Sequence, residues 1–181
     1  MSFVNYIALM DKYPYGRMAE NMQRLQELDV FHCLLAGNVD RANAVQQRVA
    51  DLPEDFIKWL QVCDGGMLFD TTMLTTKSLD TELDLDFDTY SVYYDADLRA
   101  GLTISDDWFI FAIAVHSDLF FFDLGKKNGQ VHQWDVEEQY IYKTWPTFED
   151  WLTYQIDEAV ELIADDEIRP LGVKLEVDGD E

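Results

Sequence analysis

The sequence predicts an α+β fold, with helices packed against a largely antiparallel sheet in a single domain. Two observations lead to this prediction. Helical patterns come first along the chain, strand patterns follow, and a final helix closes the order, which is typical of α+β proteins. No repeat, linker or low-complexity stretch divides the 181 residues into two units, and a chain of this length can bury a substantial core.

The N-terminal third is predicted to be helical, because its apolar residues recur at helical spacing. Residues 18–37 form one predicted helix and residues 41–49 a further short one. Another helix begins at Pro53, whose missing N–H would be unpaired in the first helical turn in any case. Gly65 or Gly66 is expected to end that helix, since glycine readily adopts the left-handed conformation found at helix C-termini.

The middle of the chain is predicted to contribute further strands and a short helix. Residues 67–76 are rich in threonine and predict one or two short strands. Residues 82–88 alternate strictly between carboxylates and apolar side chains, so a strand there would place the acids on one face. Residues 90–100 predict a short helix.

The segment 108–151 predicts three short strands and a closing helix. The apolar runs Trp108–Val115 and Leu119–Phe122 each have the length and composition of a strand, with a polar break of hairpin size between them. Asn128-Gly129 is a strong turn dipeptide and predicts the next reversal. The last helix is expected to begin at Thr147, whose hydroxyl can cap the first turn.

Two of these stretches, taken together, resemble the SUKH superfamily, which contains Smi/Knr cell-wall-regulator-like domains and bacterial immunity proteins. The first is the helix that starts at Leu52-Pro53 and is closed by Gly65-Gly66. The second is segment 108–151, with its hydrophobic strand, polar turn, apolar strand ending in Asp123-Leu124, Gly-led strand and aromatic-led helix. The resemblance covers roughly Ala44 to Ile163. It implies an α+β architecture and a binding role without catalysis.

On this basis the chain is divided into three parts. Residues 1–43 are an N-terminal helical region packed on the domain, residues 44–169 are the SUKH-like domain, and residues 170–181 are an acidic C-terminal tail. No family motif matches the first part or the stretch 80–102. Features specific to a particular partner are therefore expected in those two regions.

Charge and composition limit the classes of partner. The 36 acidic residues against 13 basic ones give a formal net charge of −23, which repels nucleic acid and anionic membranes and attracts basic proteins. Solubility alone is the competing explanation of this charge. Cys33 and Cys63 are too few for a disulfide framework, and the chain shows neither a secretory signal nor an apolar run of membrane-spanning length. A cytoplasmic protein with two reduced thiols is expected.

The sequence offers no convincing catalytic centre, metal site or cofactor site. A nucleophile–base pair of Cys63 and His116 can be imagined, but no spacing brings the two together. A transition-metal site would need a third ligand beside His116 and His132 on the predicted strands. Asp84, Asp86, Asp88 and Asp95 have part of a calcium-loop spacing, yet the loop also requires a glycine where Thr89 stands.

The strongest candidate for function is a protein-binding surface in which acids and tyrosines are interleaved. Carboxylates accept bidentate hydrogen bonds from arginine, and tyrosine gives a large contact area at low entropic cost. The first group of candidates is Glu82, Asp84, Asp86, Asp88, Tyr90, Tyr93, Tyr94, Asp95 and Asp97. The second group is Trp134, Asp135, Glu137, Glu138, Tyr140 and Tyr142, with Tyr140 and Tyr142 on one strand face. A solvated acidic face with core-facing tyrosines is the competing interpretation.

Together, the family resemblance and the charge predict an immunity protein. It would neutralise a basic toxin domain, of nuclease or deaminase type, by tight stoichiometric binding. A regulatory or scaffold module without a toxin partner is the first alternative, and a metal-dependent enzyme built on the carboxylate cluster is the second. The oligomeric state stays open.

Overall fold

One antiparallel sheet of seven strands organises the fold. The computed structural model describes residues 15–76 and 104–165, together with Ile168 and Pro170. The strands in this part of the chain are β1 (Cys33–Ala36), β2 (Cys63–Leu68), β3 (Thr71–Met73), β4 (Trp108–Ala114), β5 (Leu119–Asp123), β6 (Val131–Asp135) and β7 (Tyr140–Trp145). The helices are α1 (Arg17–Glu27), α2 (Val39–Arg48), α3 (Glu54–Leu60) and α4 (Phe148–Ala164). Each strand pairs with its neighbours in sequence, which confirms the predicted α+β fold in a single domain.

An aromatic cluster joins the sheet to the helices. Phe111 of β4 and Phe122 of β5 stack with their ring centroids 4.8 Å apart. Phe56 of α3 lies 5.2 Å from the first of these rings and 5.0 Å from the second. Phe148 and Trp151 of α4 pack on the same group. The first turn of α4 and one face of α3 are therefore fixed on the sheet by ring contacts.

A smaller apolar cluster lies on the opposite face of the sheet. The Trp108 ring stacks on Phe121 at 3.9 Å and meets Trp134 edge-on at 5.8 Å. Leu74 and Leu119 belong to the same cluster. Since successive residues of a strand point to opposite faces, β4 and β5 supply apolar side chains to both clusters. This explains why their sequences are continuously apolar and not alternating.

The prediction of one helix over residues 18–37 is wrong in its second half. Helix α1 ends at Glu27, a single 3-10 turn spans Asp29–Phe31, and Cys33–Ala36 form the edge strand β1. The apolar residues of β1 pair with β2 and cover its outer edge. Sheet pairing therefore overrides the helical spacing, as tertiary contacts often do. The expected short helix at 41–49 is confirmed as α2.

The two glycines expected to end a helix lie in strand β2 instead. Helix α3 already ends at Leu60. Gly66 has φ +111°, and a Cβ on it would stand 2.2 Å from the carbonyl oxygen of Cys33 on β1. Glycine is therefore required because two backbones approach closely, and the left-handed φ serves the strand and not a helix terminus.

A buried carboxylate fixes the chain where it leaves β3. Asp64 on β2 accepts hydrogen bonds from the backbone N–H and from the hydroxyl of Thr76, both at 2.6 Å. Both residues are buried. A buried carboxylate needs such donors, because an ionised group without partners would be costly in the interior. The interaction holds residue 76 against the sheet.

Segment 108–151 contains four strands and not the three predicted. Residues 136–139 make a turn that separates β6 from β7, and Gln139 adopts φ 54° within it. This turn contains no glycine, proline or asparagine, so nothing in its composition marks it. The predicted cap of the last helix is confirmed, because the Thr147 hydroxyl accepts from the backbone N–H of Asp150 at 3.1 Å.

Residues 15–43, the described part of the N-terminal region, are an integral part of the fold. Helix α1 is joined to α4 by ion pairs from Arg17 to Asp150 and from Arg24 to Asp157. The region also supplies β1 to the sheet. The expected boundary at residue 43 falls inside helix α2. Within the described ranges, no helix is both long enough and apolar enough to span a bilayer.

Candidate protein-binding surface

Three turns meet at one end of the sheet. Because neighbouring strands are antiparallel, the β2–β3 turn, the β4–β5 turn and the β6–β7 turn all lie at the same end. The β5–β6 connection lies at the other end and carries Lys126 and Lys127. Both lysines are paired, Lys126 with Asp123 at 3.1 Å and Lys127 with Asp51 at 2.9 Å.

The end with three turns is acidic. Its turns comprise residues 69–70, 115–118 and 136–139, which include four carboxylates and no lysine or arginine. Asp135 lies at the end of β6, and its carboxylate accepts the backbone N–H of Glu138 at 2.8 Å. The three turns at this end therefore carry carboxylates with no basic side chain among them, whereas both lysines of the β5–β6 connection are paired with carboxylates.

Strand β7 exposes three large side chains beside these acids. The side chains of Tyr140, Ile141 and Tyr142 are 52%, 37% and 42% exposed. The rings of Tyr140 and Tyr142 lie 6.0 Å apart, as expected for residues on one strand face. We call the following residues the acidic–tyrosine surface: Asp118, Asp135, Glu137, Glu138, Tyr140 and Tyr142. Large apolar groups rimmed by polar ones are typical of contact sites.

Asp118 holds two neighbouring side chains in place at the centre of the acidic–tyrosine surface. One of its carboxylate oxygens accepts the Tyr142 hydroxyl at 2.6 Å and the Gln133 amide at 3.2 Å. Burial and the bond to Asp118 raise the pKa of Tyr142 well above its usual range, so the phenol stays a donor at neutral pH. The tyrosine ring is thereby held in one orientation before any partner arrives, which lowers the entropic cost of binding.

A comparison with known protein families identifies the family of this chain. The model of the SMI1 / KNR4 family (SUKH-1) matches residues 42–154, more than half of the chain. The chain belongs to this family. The SUKH-1 match includes all of α3 and the strands from β2 to β7, but ends within α4 and begins after β1. No curated protein and no solved structure matched the chain in the corresponding searches.

The structure places two of the three aromatic residues of the second group at the surface and the third in the core. Tyr140 and Tyr142 lie together on the surface of the SUKH-1 domain. Trp134 does not, because its side chain is only 2% exposed and packs under Trp108 in the smaller apolar cluster. As a fully buried side chain it supports the sheet below β7 and offers no contact area.

The nine predicted residues of the first group lie outside the described residues of this SUKH-1 protein, as do the strand predicted at 82–88, the helix predicted at 90–100 and the tail. One member of the surface, Asp118, was missed by sequence reasoning. Asp118 looks like an ordinary turn residue, and its two donors come from strands later in the chain.

The imagined Cys63–His116 pair is not formed in the SUKH-1 domain. Cys63 begins β2 at the end of the sheet remote from the turn that carries His116. Burial raises the pKa of the Cys63 thiol, and the neighbouring Asp64 raises it further, so a thiolate is disfavoured. Across residues 15–76 and 104–165, no group of three or more His, Cys, Asp and Glu side chains could hold a metal ion.

The buried side chain of His132, on β6 opposite Thr144 of β7, is expected to make the stability of the SUKH-1 domain depend on pH. Its Nδ1 bonds the Thr144 hydroxyl at 2.8 Å, while Nε2 is buried without a partner. Burial lowers the pKa of His132, Lys126 lowers it further, and Asp123 opposes both. The unfolded chain therefore binds this proton more readily, and stability is lost as the pH falls below about 6.5 towards the lowered folded pKa.

We expect the replacement His132→Gln to reduce this acid sensitivity. The measurement is the free energy of unfolding in urea at about pH 7.5 and about pH 5, for both proteins. His116→Gln, at an exposed turn position, is the matched control and should keep the sensitivity of the original protein. Equal losses in the His132 variant and the original protein would show that other groups carry the dependence. Some acid sensitivity should remain in the His132 variant, because His32 is a second buried histidine and burial lowers its pKa as well.

Proposed function

We propose that this SUKH-1 protein is a non-enzymatic binding module that neutralises a basic toxin domain by stoichiometric binding in the cytoplasm. The observation that carries the proposal is the acidic–tyrosine surface, where exposed tyrosines lie among carboxylates without a lysine or arginine in the adjoining turns. SUKH proteins are commonly immunity proteins, which makes a toxin the first partner to test.

Charge favours a toxin that acts on nucleic acid. A nuclease or a nucleic-acid deaminase needs a basic cleft to hold phosphates. A chain with net charge −23 would be steered towards that cleft and could cover it. We propose the remaining sequence candidates as a second contact region, since Thr76 and Ile104, the described residues on either side of them in the chain, lie at the opposite end of the sheet. These candidates are Glu82, Asp84, Asp86, Asp88, Tyr90, Tyr93, Tyr94, Asp95 and Asp97.

The test is co-expression with the C-terminal domain of a large secreted protein, where a neighbouring gene encodes one. We expect the two proteins to co-purify, and the double variant Tyr140→Ala with Tyr142→Ala to weaken binding at least about tenfold, because interface tyrosines contribute strongly. Tyr15→Ala is the matched control, since Tyr15 is exposed at the N-terminal side of α1. Isothermal titration of the purified pair gives the affinities.

Three outcomes of that experiment are informative. Co-purification that the double tyrosine variant weakens supports both the partner class and the surface. A toxin domain that binds the double variant as tightly as the original protein rejects the surface. A neighbouring domain that fails to co-purify rejects the pairing and favours a regulatory or scaffold role for the SUKH-1 domain.

A further inference from the structure

The two edge strands of the sheet differ in their protection against pairing with another chain. Strand β1 has only four residues, and its register with β2 shifts between Leu34 and Ala36. A short edge offers few main-chain groups to a further strand. Strand β7 has six residues, within the described residues it pairs with β6 alone, and its register with β6 also shifts, between Gln133 and Trp134. The two edges therefore differ in length, and the longer one is β7.

The lysine side chain that could protect β7 from pairing with another strand points away from the strand edge. A lysine on an edge discourages strand addition because its charge would be buried by an incoming strand. Lys143 is the lysine of β7, and its ammonium lies 3.3 Å from the ring centroid of Tyr154 on α4 and 5.2 Å from that of Trp145. These contacts hold the charge against the helix side of the sheet. The exposed side chains of Tyr140, Ile141 and Tyr142 flank the edge instead.

We propose that β7 is a docking edge to which an extended, arginine- or lysine-containing segment of the partner adds as a further strand. This inference rests on the proposed function and specifies how the partner is held. Six residues of strand span about 20 Å, enough for main-chain hydrogen bonds to supply affinity while side chains supply specificity. Basic side chains on the added strand would extend across the tyrosine rings towards Asp135 and the acids of the β6–β7 turn, and the rings would cover their stems.

Charge selects a basic partner over a second copy of this chain. Pairing β7 with β7 would bring together two molecules of net charge −23 and would set the acids of both surfaces close to one another. Like charges that face each other across an interface cost binding free energy. A basic segment would be attracted by the acids of the surface, so that the electrostatic contribution to the binding free energy would be favourable.

The experiment compares two fluorescent peptides of about eight residues that alternate arginine and valine. One has ordinary amides, and the other has its central amides N-methylated, which keeps the charge but removes the donors. We expect the ordinary peptide to bind at least about tenfold more tightly by fluorescence anisotropy, because several main-chain hydrogen bonds are lost in the other. In hydrogen exchange followed by NMR, it should slow the amides of β7 and leave those of β1 unchanged.

Other results overturn the inference. Equal binding of both peptides without slowed exchange in β7 means that charge alone acts, and it leaves the basic-partner proposal standing. Binding of neither peptide rejects strand addition, while co-purification with the toxin domain judges the proposed function separately. A dimeric protein whose β7 amides are already protected without peptide would show that the occupant is a second copy.

Discussion

Replacing Gly66 with alanine is expected to lower the free energy of unfolding by about 3 kcal/mol or more. Two costs combine at this position. The residue has φ +111°, which an alanine adopts only with strain, and the new Cβ would meet the Cys33 carbonyl oxygen at 2.2 Å. That oxygen belongs to the backbone of β1, so relief requires the edge strand to move. Urea unfolding followed by tryptophan fluorescence gives the measurement.

Alanine substitutions at two other glycines measure the backbone strain and the steric clash separately. Gly16 has φ +94°, but nothing lies within 4 Å of the position that a Cβ would take, so Gly16→Ala reports backbone strain alone. A Cβ on Gly37 would lie 2.2 Å from the Leu60 carbonyl oxygen, and its φ lies outside the left-handed region, so Gly37→Ala reports the clash alone. We expect Gly66→Ala to exceed both. If Gly66→Ala cost no more than Gly16→Ala, β1 would not be packed against β2 as described.

Replacing Phe56 with alanine is expected to cost about 3–5 kcal/mol of the free energy of unfolding. The ring is buried and lies within 5.2 Å of Phe111, Phe122 and Phe148, measured between centroids. Removing it leaves a cavity between α3, the sheet and α4, which the surrounding rings are too rigid to fill.

Phe31→Ala provides the matched control for the Phe56 replacement, because Phe31 is only partly buried at the margin of the same cluster. The same truncation there should cost clearly less. Thermal unfolding and urea unfolding should rank the two variants in the same order. Similar losses in both variants would place the centre of the core away from α3.

Sequence reasoning succeeded where local signals and tertiary contacts agree. Strands β4 and β5 are apolar on both faces, and Thr147 caps α4 with its own side chain, so each was predictable from neighbouring residues. It failed at β1 and β2, because Leu34 and Leu35 fit a helical stripe as well as a strand, and because Gly65-Gly66 has no side chains to indicate a strand. Whether these residues form strands depends on their pairing with residues that are distant in the sequence.

The candidate site was predictable only in part for a similar reason. Residue type suggested Tyr140 and Tyr142, but exposure depends on position in the sheet. Trp134 has the same aromatic character and yet lies beneath the surface, since Trp108 of a distant strand covers it. Asp118 gains its importance from Tyr142, which is 24 residues away in the chain. Such contacts follow from the sheet order, which local patterns do not contain.

The bond between Asp64 and Thr76 bears on how the chain tolerates changes in length. Strands β3 and β4 are neighbours in the ladder, and the described residues on either side of the stretch 77–103 are anchored to the sheet, one through Thr76 and the other through Ile104 in the smaller cluster. The free energy of joining two fixed ends with a flexible chain rises by only about 0.6 kcal/mol for each doubling of its length. Insertions between these two anchors are therefore expected to cost little stability while the sheet keeps its strand order.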